Sequence, residues 1–129
     1  YYNQICTTHT YQERLDTCES VKSAGLALCC GGIFGMGENT THRDELLQVI
    51  KELNPNSVPL NFYHPNPALP IKERDITLQE ALDIISKTRT LLGSDKIIMV
   101  AGGRELLFGG NEAQMYSAGA NAIVIGDYL

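Results

Sequence analysis

A regular alternation of helix signals and short apolar runs is the feature that most constrains the fold of this chain. Apolar runs occupy residues 26–30, 57–62, 96–101 and 121–125, and a segment with helical signals precedes each of them. The runs lie roughly 25 to 40 residues apart, a spacing typical of βαβ units with parallel strands. Right-handed crossovers of this kind build either an open doubly wound sheet or a (β/α)8 barrel.

We favour half of a barrel over a complete small sheet. Four strands are too few to close a barrel. The chain begins at Tyr1 without a methionine and stops at Leu129 just after an apolar run, which suggests a piece of a longer protein. The predicted fold is therefore α/β, with residues 1–129 forming one partial domain that corresponds to half of a TIM-type (β/α)8 barrel.

Capping patterns predict where the helices begin. In a capping box, a hydroxyl residue is followed three positions later by an acid. Each of the two side chains accepts a hydrogen bond from the backbone N–H of the other residue, which would otherwise have no partner at the helix start. Gly25 and Gly93 predict two helix ends, and a short helix is expected over residues 112–117. The prolines of residues 65–70 predict an irregular loop, and Pro59 in the second strand requires a bulge or an unpaired position. The three patterns begin at Thr10, Thr41 and Thr77. The pattern at Thr41 is weaker than the others because Asp replaces Glu.

Charge and cysteine content exclude several classes of protein. The formal net charge is −5, and the Lys and Arg residues are dispersed, so no basic stripe offers a nucleic-acid footprint. No apolar stretch approaches the length of a membrane span and no signal peptide opens the chain, so we expect a cytoplasmic protein that binds no membrane. The four cysteines show neither a C-x-x-C pair nor zinc spacing, and we expect reduced thiols.

The stretch over residues 26–38, LALCCGGIFGMGE, is the first candidate for a functional site. It is typical of a buried strand whose carboxyl end opens into a glycine-rich loop, which is where ligands bind in α/β proteins. Cys29 and Cys30 are either packing residues or ligands of a soft metal. Since side chains alternate along a strand, the two thiols should point to opposite faces, and only one is expected to face inward.

Several isolated residues leave two interpretations open. Residues 102–105, GGRE, form either a phosphate- or carboxylate-binding turn at a helix start or a tight turn with a surface arginine. Arg14 is either a ligand-binding residue or a solvated, ion-paired one. Asn61 either binds a ligand at a strand end or is a turn or strand-end residue. The histidines show no metal spacing and are expected to be structural or exposed. They are His9, His42 and His64.

Five segments together resemble the biotin synthase family, and they keep the family's order and spacing over essentially all 129 residues. The resemblance implies the C-terminal half of a radical S-adenosylmethionine barrel, from a helix after the fourth strand through the eighth strand. The segments are residues 7–17 (TTHTYQERLDT), 29–38 (CCGGIFGMGE), 57–61 (SVPLN), 102–105 (GGRE) and 118–121 (AGAN).

The resemblance implies an enzyme that forms biotin by inserting sulfur between two unactivated carbons of dethiobiotin. In that chemistry a 4Fe–4S cluster reduces S-adenosylmethionine, and the resulting deoxyadenosyl radical abstracts hydrogens from the substrate. A deeper 2Fe–2S cluster is implied as the sulfur donor, with cysteine thiolates as the expected ligands of both clusters. The implied partners are a reductant protein such as flavodoxin or ferredoxin, and a second copy of the full-length protein in a homodimer.

Matching positions imply roles for particular residues. Cys29 matches a cysteine ligand of the 2Fe–2S cluster, whereas Cys30 falls on a variable neighbour and receives no role. Arg14 matches an arginine that contacts the carboxylate of S-adenosylmethionine, a charge-assisted pairing. Ile33 matches a residue that lines the adenosyl pocket, and Asn61 matches an asparagine that hydrogen-bonds dethiobiotin. No residue of the chain is assigned as catalytic.

The chain departs from the family pattern in two respects. The C-x-x-x-C-x-x-C motif for the 4Fe–4S cluster is absent, as are two further 2Fe–2S cysteines. These ligands are expected in the missing N-terminal half of the barrel, so this fragment alone is expected to be inactive. Met99 stands where the family has an arginine ligand of the 2Fe–2S cluster, which leaves the fourth ligand open.

Two alternative functions are consistent with the residues. One is another radical S-adenosylmethionine enzyme of the same barrel type, which would retain Arg14 and the turn at residues 102–104 but use Cys29 differently. The other is a non-catalytic half-barrel that binds a small molecule or a partner, because the exposed edges of such a half-barrel invite pairing.

Overall fold

The sheet has four parallel strands, paired in the order in which they occur along the chain. This architecture is seen in a computed structural model that describes residues 1–126. The elements in chain order are α1 (Tyr2–Ile5), α2 (Tyr11–Ser23), β1 (Gly32–Phe34), α3 (Thr40–Leu53), β2 (Ser57–Phe62), α4 (Leu78–Leu92), β3 (Ile97–Val100), α5 (Arg104–Phe108), α6 (Ala113–Ala118) and β4 (Ala122–Ile123).

The strand order identifies the architecture. In an open doubly wound sheet the order reverses at a switch point, whereas in a barrel each strand pairs with the next one along the chain. Here each strand pairs with its successor, so right-handed crossovers carry the connecting helices to the same face of the sheet. The prediction of half of a TIM-type (β/α)8 barrel is confirmed.

The helix-facing side of the sheet forms the core. In β2, buried residues alternate with half-buried ones, as expected for a strand with one covered face. Phe34, Leu60, Phe62 and Val100 are at most 1% exposed. The ring of Phe62 lies 6.3 Å from that of Phe34 and 5.8 Å from that of Phe108, measured between centroids. These aromatic contacts join β1, β2 and α5.

The opposite side of the sheet, which we call the axis face, corresponds to the centre of a closed barrel. Strand residues in a complete barrel are buried on both faces, whereas the axis-face residues of β2 are half-buried. The register assigns residues to this face from every strand. They are Cys29 and Ile33, Ser57, Pro59 and Asn61, Ile97 and Met99, and Ala122.

The first strand lies later in the chain than predicted. We expected it over residues 26–30, and this is wrong, because β1 is Gly32–Phe34. Leu26 is 65% exposed, and the apolar run contributes an isolated bridge from Cys29 to Ser57. Apolar character alone therefore placed the strand too early, since the run leads into the strand rather than forming it.

Pro59 lies where the pairing between β1 and β2 is interrupted. Regular pairing starts at Leu60 with Gly32, and an isolated bridge precedes it. Proline has no N–H to donate, and Pro59 lies outside the regular pairing with β1, although it is in register with Met99 of β3. A Cβ atom at Gly31 would collide with the carbonyl oxygen of Pro59. Glycine is therefore required where the two backbones approach closely.

Two of the three predicted helix starts are confirmed. The side chains of Thr10 and Thr77 accept hydrogen bonds from the backbone N–H groups of Glu13 and Glu80. Each glutamate carboxylate in turn accepts from the backbone N–H of its threonine. These reciprocal pairs fix the first turns of α2 and α4.

The third predicted start, at Thr41, is wrong. Helix α3 begins after Asn39, whose side chain accepts a hydrogen bond from the backbone N–H of His42. Nδ1 of His42 accepts from the backbone N–H of Asn39. An imidazole replaces the usual acid in this reciprocal cap, so a search for a hydroxyl residue with a glutamate does not find it.

The other boundaries agree with the sequence to within a few residues, and residues 65–70 form an irregular loop as expected. The fourth strand is shorter than the predicted residues 121–125. There, Asn121 uses its side-chain oxygen to accept from the backbone N–H of Ile98. Helix α1 was not predicted, and no range was predicted for the helix expected after residues 102–105, because α1 and α5 each span fewer than six residues and carry little periodicity.

Candidate functional site

A cavity of about 790 Å³ lies between α1, α2, β1 and α3. Arg14, in the first turn of α2, and Ile33, in the middle of β1, both line it. Ile33 is 49% exposed, so its side chain is available to an apolar ligand. Among the described residues, Cys29 and Asn61 lie outside the lining. The structure therefore brings together two of the four residues singled out in the sequence.

The loop after β1 is held by a buried carboxylate. Glu38 is 7% exposed and accepts hydrogen bonds from the backbone N–H groups of Gly35 and Met36, both at 2.8 Å. Gly35 has φ of +93° and Gly37 has φ of +97°, which favour glycine. The loop that follows Ile33 therefore has a defined shape rather than a free one.

A single guanidinium joins this loop to two helices. Arg43 of α3 is 7% exposed, and its Nε lies 2.7 Å from Glu38. Its Nη1 lies 2.8 Å from Glu80 at the start of α4, and its Nη2 donates to the backbone carbonyl of Asp75 at 2.9 Å. The backbone N–H of Asp75 donates to the carbonyl of Gly35. Arg43 thus ties the loop after β1 to both neighbouring helices.

Glu80 makes the stability of this junction dependent on pH. Hydrogen bonds from the backbone and side chain of Thr77 and from Arg43 lower the pKa of Glu80 from 4.5 to about 2. Because the folded pKa lies below the unfolded one, the stabilisation is complete above about pH 4.5 and is lost as the pH falls toward 2. The Glu80 side chain is 45% exposed, so solvent screening reduces the effect to about 1 kcal/mol.

We therefore expect Glu80→Gln to weaken the pH dependence of unfolding. Between pH 5 and pH 2.5, the wild-type protein should lose about 1 kcal/mol more of its unfolding free energy than the variant. Urea unfolding at both pH values measures the difference. An equal loss in the two proteins would contradict this role for the carboxylate of Glu80.

Cys29 and Cys30 lie on opposite sides of the sheet. Cys29 bridges Ser57 and belongs to the axis face, where its side chain is exposed. Cys30 is half-buried on the helix side, with its Sγ 3.7 Å from that of Cys18 on α2. Burial, together with Cys18, raises the pKa of the Cys30 thiol to about 11. The predicted alternation of the two thiols is thus present in the structure.

Met99 shares the axis face with Cys29 but not its immediate surroundings. It lies on β3, where it pairs with Pro59 of β2 and with Ala122 of β4. Cys29 precedes β1, so its backbone lies about 10 Å away across two strand spacings. Within residues 1–126, no group of three or more His, Cys, Asp and Glu side chains is placed to hold a metal ion.

Asn61, near the carboxyl end of β2, connects the start of β1 to the turn after β3. Its Nδ2 donates to the backbone carbonyl of Gly32 at 3.2 Å, and its Oδ1 accepts from the backbone N–H of Gly102 at 2.9 Å. An amide side chain has two donors and two acceptor lone pairs. One donor and one lone pair therefore remain for a ligand on the axis face.

The turn after β3 is a tight strand-to-helix connection. The backbone N–H of Phe62 donates to the carbonyl of Gly102 at 2.8 Å, which continues the pairing with β2. The guanidinium of Arg104 lies 3.4 Å from Glu105 and 3.5 Å from Glu112. Helix α5 has five residues. The turn is tight, but the side chain of Arg104 is only 16% exposed, so the expectation of a surface arginine is wrong. Ligand binding by this turn stays a prediction.

Cys6 is a further thiol that the sequence patterns do not single out. Its Sγ lies 3.5 Å from Oγ1 of Thr8 and 3.6 Å from Nδ1 of His9, whose Nε2 lies 2.8 Å from the hydroxyl of Tyr2. Hydrogen bonding with Thr8 lowers the pKa of the Cys6 thiol to about 7. The spacing from Cys6 to His9 is the available signal, and it is too common to be diagnostic.

These features define an α/β half-barrel with an apolar cavity beside its first strand and a thiol on its axis face. The family model for the Biotin and Thiamin Synthesis associated domain matches residues 59–129. The chain belongs to this family. No helix within residues 1–126 is long and apolar enough to cross a bilayer.

Relatives extend the similarity to the whole chain. It is 66% identical over all 129 residues to a biotin synthase of Sulfurovum sp. (strain NBC37-1) and 50% identical to one of Aliarcobacter butzleri. It covers 45% of each of these relatives and corresponds to their C-terminal part. The chain therefore spans about half the length of the curated relatives it matches.

Solved structures agree with the fold. Methylornithine synthase superimposes with a TM-score of 0.79 at 22% identity, over 95% of this chain and 36% of that one. The tryptophan synthase alpha chain of Legionella pneumophila superimposes with a TM-score of 0.53 at 15% identity, over 87% of this chain and 47% of that one. At these identities the likeness shows the half-barrel fold and nothing about activity.

Proposed function

We propose that this chain forms the C-terminal half of the barrel of a biotin synthase, which inserts sulfur into dethiobiotin by radical S-adenosylmethionine chemistry. The observation that carries the proposal is the 66% identity to a biotin synthase across all 129 residues. The proposed location is the cytoplasm, which is supported by four free cysteines. The proposed partners are the N-terminal half of the barrel, a flavodoxin- or ferredoxin-like reductant and a second copy of the full-length protein.

Arg14 and Ile33 fit a nucleoside-bearing ligand with a carboxylate. Both residues contribute to the lining of the cavity beside β1, which brings a guanidinium near the strand that carries an exposed apolar side chain. Arg14 would pair with the carboxylate of S-adenosylmethionine, since guanidinium and carboxylate match in charge and hydrogen-bond geometry. Ile33 would pack against the adenosyl group, and the Glu38 contacts would keep the following loop in place.

Cys29 fits one position in a 2Fe–2S cluster. Its thiol is exposed on the axis face, and thiolate is the ligand that iron–sulfur clusters use most. When bound, the two clusters and S-adenosylmethionine would supply the electron, the hydrogen-abstracting radical and the sulfur. The 4Fe–4S ligands would come from the N-terminal half. Asn61, whose amide retains one donor and one lone pair, would orient dethiobiotin at the carboxyl ends of the strands.

Exchange of Cys29 in the full-length protein tests this assignment. Loss of an outer partner of a metal ligand costs up to about 100-fold in affinity or activity, so Cys29→Ala should lower biotin formation by at least about 100-fold. It should also reduce the visible absorption of the 2Fe–2S cluster after anaerobic reconstitution. Cys30→Ala is the matched control for cluster binding, because Cys30 lies on the opposite side of the sheet and should keep the 2Fe–2S absorption within about twofold.

Different outcomes would contradict the role of Cys29, the reaction and the location of the 4Fe–4S ligands. Biotin formation by Cys29→Ala at the wild-type level would remove Cys29 from the cluster site. A full-length protein that cleaves S-adenosylmethionine but does not convert dethiobiotin would favour another enzyme of this barrel type. Release of 5′-deoxyadenosine by the 129-residue chain alone, given iron, sulfide and a reductant, would contradict a 4Fe–4S site in the N-terminal half.

A further inference from the structure

The thiols of Cys18 and Cys30 are in contact, although they belong to different elements. Cys18 lies in the second half of α2, and Cys30 lies just before β1 on the helix side of the sheet. Their Sγ atoms are 3.7 Å apart, and both side chains are half-buried along the wall of the same cavity. The assignments to cluster, cofactor and substrate binding leave this pair without a role.

The backbone holds the two cysteines in these positions from both sides. The backbone N–H of Cys30 donates to the carbonyl of Ser57 at 3.0 Å, which anchors it to β2. Helix α2 is fixed at its start by the reciprocal cap of Thr10 and Glu13. A disulfide has an S–S distance near 2.05 Å, so at least one side chain must rotate to bring the sulfurs closer by about 1.7 Å.

We propose that Cys18 and Cys30 form a reversible dithiol–disulfide site that reacts with low-molecular-weight disulfides such as oxidised glutathione. In the first step one protein thiolate attacks a sulfur of glutathione disulfide and displaces one glutathione thiolate. In the second step the other protein thiolate attacks the mixed disulfide and displaces the second glutathione. The protein loses two electrons, glutathione disulfide gains them, and the two thiol protons pass to the two glutathione products.

The link would connect two parts of the candidate site. Arg14 lies one helical turn before Cys18 on α2, and Cys29 immediately precedes Cys30. A disulfide would therefore fix the helix that carries Arg14 against the segment that carries Cys29. Reversible pairs of this type are the form in which disulfides occur in cytosolic proteins. The inference rests on the sulfur geometry and does not depend on the proposed activity.

The other two cysteines are not placed to form a disulfide with Cys18 or Cys30. Cys29 adjoins Cys30 in sequence but belongs to the axis face, so the sheet lies between its side chain and α2. Cys6 contacts Thr8 and His9 instead. Within residues 1–126, no third His, Cys, Asp or Glu joins the pair in a group that could hold a metal ion.

Peptide mapping of the full-length protein tests the proposal. The purified protein is equilibrated anaerobically in glutathione redox buffers, alkylated and digested with trypsin without reduction. Trypsin cleaves after Arg14, Lys22 and Arg43, which releases Cys18 on residues 15–22 and Cys30 on residues 23–43. A disulfide appears as one species that contains both peptides and has a mass two hydrogens below their sum.

Single variants assign the partner, because residues 23–43 also contain Cys29. Cys29→Ser should keep the linked species within about twofold of wild type, whereas Cys30→Ser and Cys18→Ser should reduce it by at least about tenfold. Serine is close to cysteine in size, so the reduced variants should have thermal midpoints near that of wild type. Oxidation should raise the midpoint of wild type and leave that of Cys30→Ser unchanged.

Three results would overturn the proposal. The first is persistence of the linked species in Cys30→Ser, which would place the bond on Cys29. The second is accumulation of separate glutathione adducts on Cys18 and Cys30 without a link between them. The third is a wild-type protein that stays fully reduced in a buffer of oxidised glutathione alone. Thermal midpoints of the reduced proteins show whether a variant lost the linked species because it is misfolded. If it is misfolded, the amount of linked species in the wild-type protein across the glutathione redox buffers decides whether the proposal holds.

Discussion

Replacement of Arg43 by methionine is expected to lower the free energy of unfolding by about 3 to 5 kcal/mol, the usual cost of breaking a buried ion pair from one side. The carboxylate of Glu38 is buried, with 6% of its side chain exposed. Without the guanidinium it keeps its bonds from the Gly35 and Met36 backbones but loses its counter-charge. The backbone carbonyl of Asp75 also loses a donor. Urea unfolding of the purified full chain gives the free energy.

Lys87→Met is the matched control for Arg43→Met, because it also removes one positive charge from an ion pair with 2.8 Å between nitrogen and oxygen. Lys87 and Asp44 are both 50% exposed at their side chains, and such surface pairs contribute about 0 to 1 kcal/mol. A double variant, Glu38→Gln with Arg43→Met, should recover part of the loss, since it removes the uncompensated charge. If Arg43→Met costs no more than Lys87→Met, the buried junction does not stabilise the fold.

The positions of the second and third strands and of α4 were predictable because they depend on local patterns. The second strand, Ser57–Phe62, is an apolar run ended by proline-rich sequence, and α4 is framed by Thr77 and Gly93. Each of these signals acts within a few residues. Right-handed crossovers are compatible with both a doubly wound sheet and a barrel, and the sequential order of the strands is what the structure adds.

The boundaries that sequence patterns missed depend on contacts between distant residues. Residues 26–30 have the apolar character of a strand, but regular pairing begins where Gly32 meets Leu60. Position 31 requires glycine because a Cβ atom there would collide with the carbonyl oxygen of Pro59. Pro59 lies twenty-eight positions later in the chain, on the neighbouring strand. Composition within a short window contains no information about such a partner.

The candidate site was predictable where it depends on a local pattern and not where it depends on contacts between distant elements. The period of a strand separates Cys29 from Cys30, and the structure has them on opposite sides. In contrast, Arg43 reaches Glu80 across 37 positions, and Cys18 meets Cys30 from a different element. These junctions depend on how helices pack on the sheet. No spacing rule in the sequence identifies them.

Gly103→Ala is expected to lower the free energy of unfolding by about 3 kcal/mol or more. This cost is the sum of two penalties, one for alanine in a left-handed backbone conformation and one for a buried steric collision. Gly103 has φ of +74°, and a Cβ atom there would run into the backbone carbonyl of Phe62 at the end of β2. That carbonyl belongs to the β2 backbone and cannot rotate away as a side chain could. The neighbouring N–H of Gly102 bonds Asn61, so the change should also disturb the strand ends at which dethiobiotin is proposed to bind.

Gly25→Ala separates the collision from the backbone conformation. Gly25 has φ of +73°, nearly the same as Gly103, but a Cβ atom there meets nothing within 4 Å. It should cost about 1 kcal/mol, the typical penalty for alanine in this region. Urea unfolding of both variants gives the comparison, and the excess for Gly103 measures the close approach of the turn to β2. Equal losses at the two positions would mean that the turn moves away from β2 at little cost, and the constraint on Asn61 would then be absent.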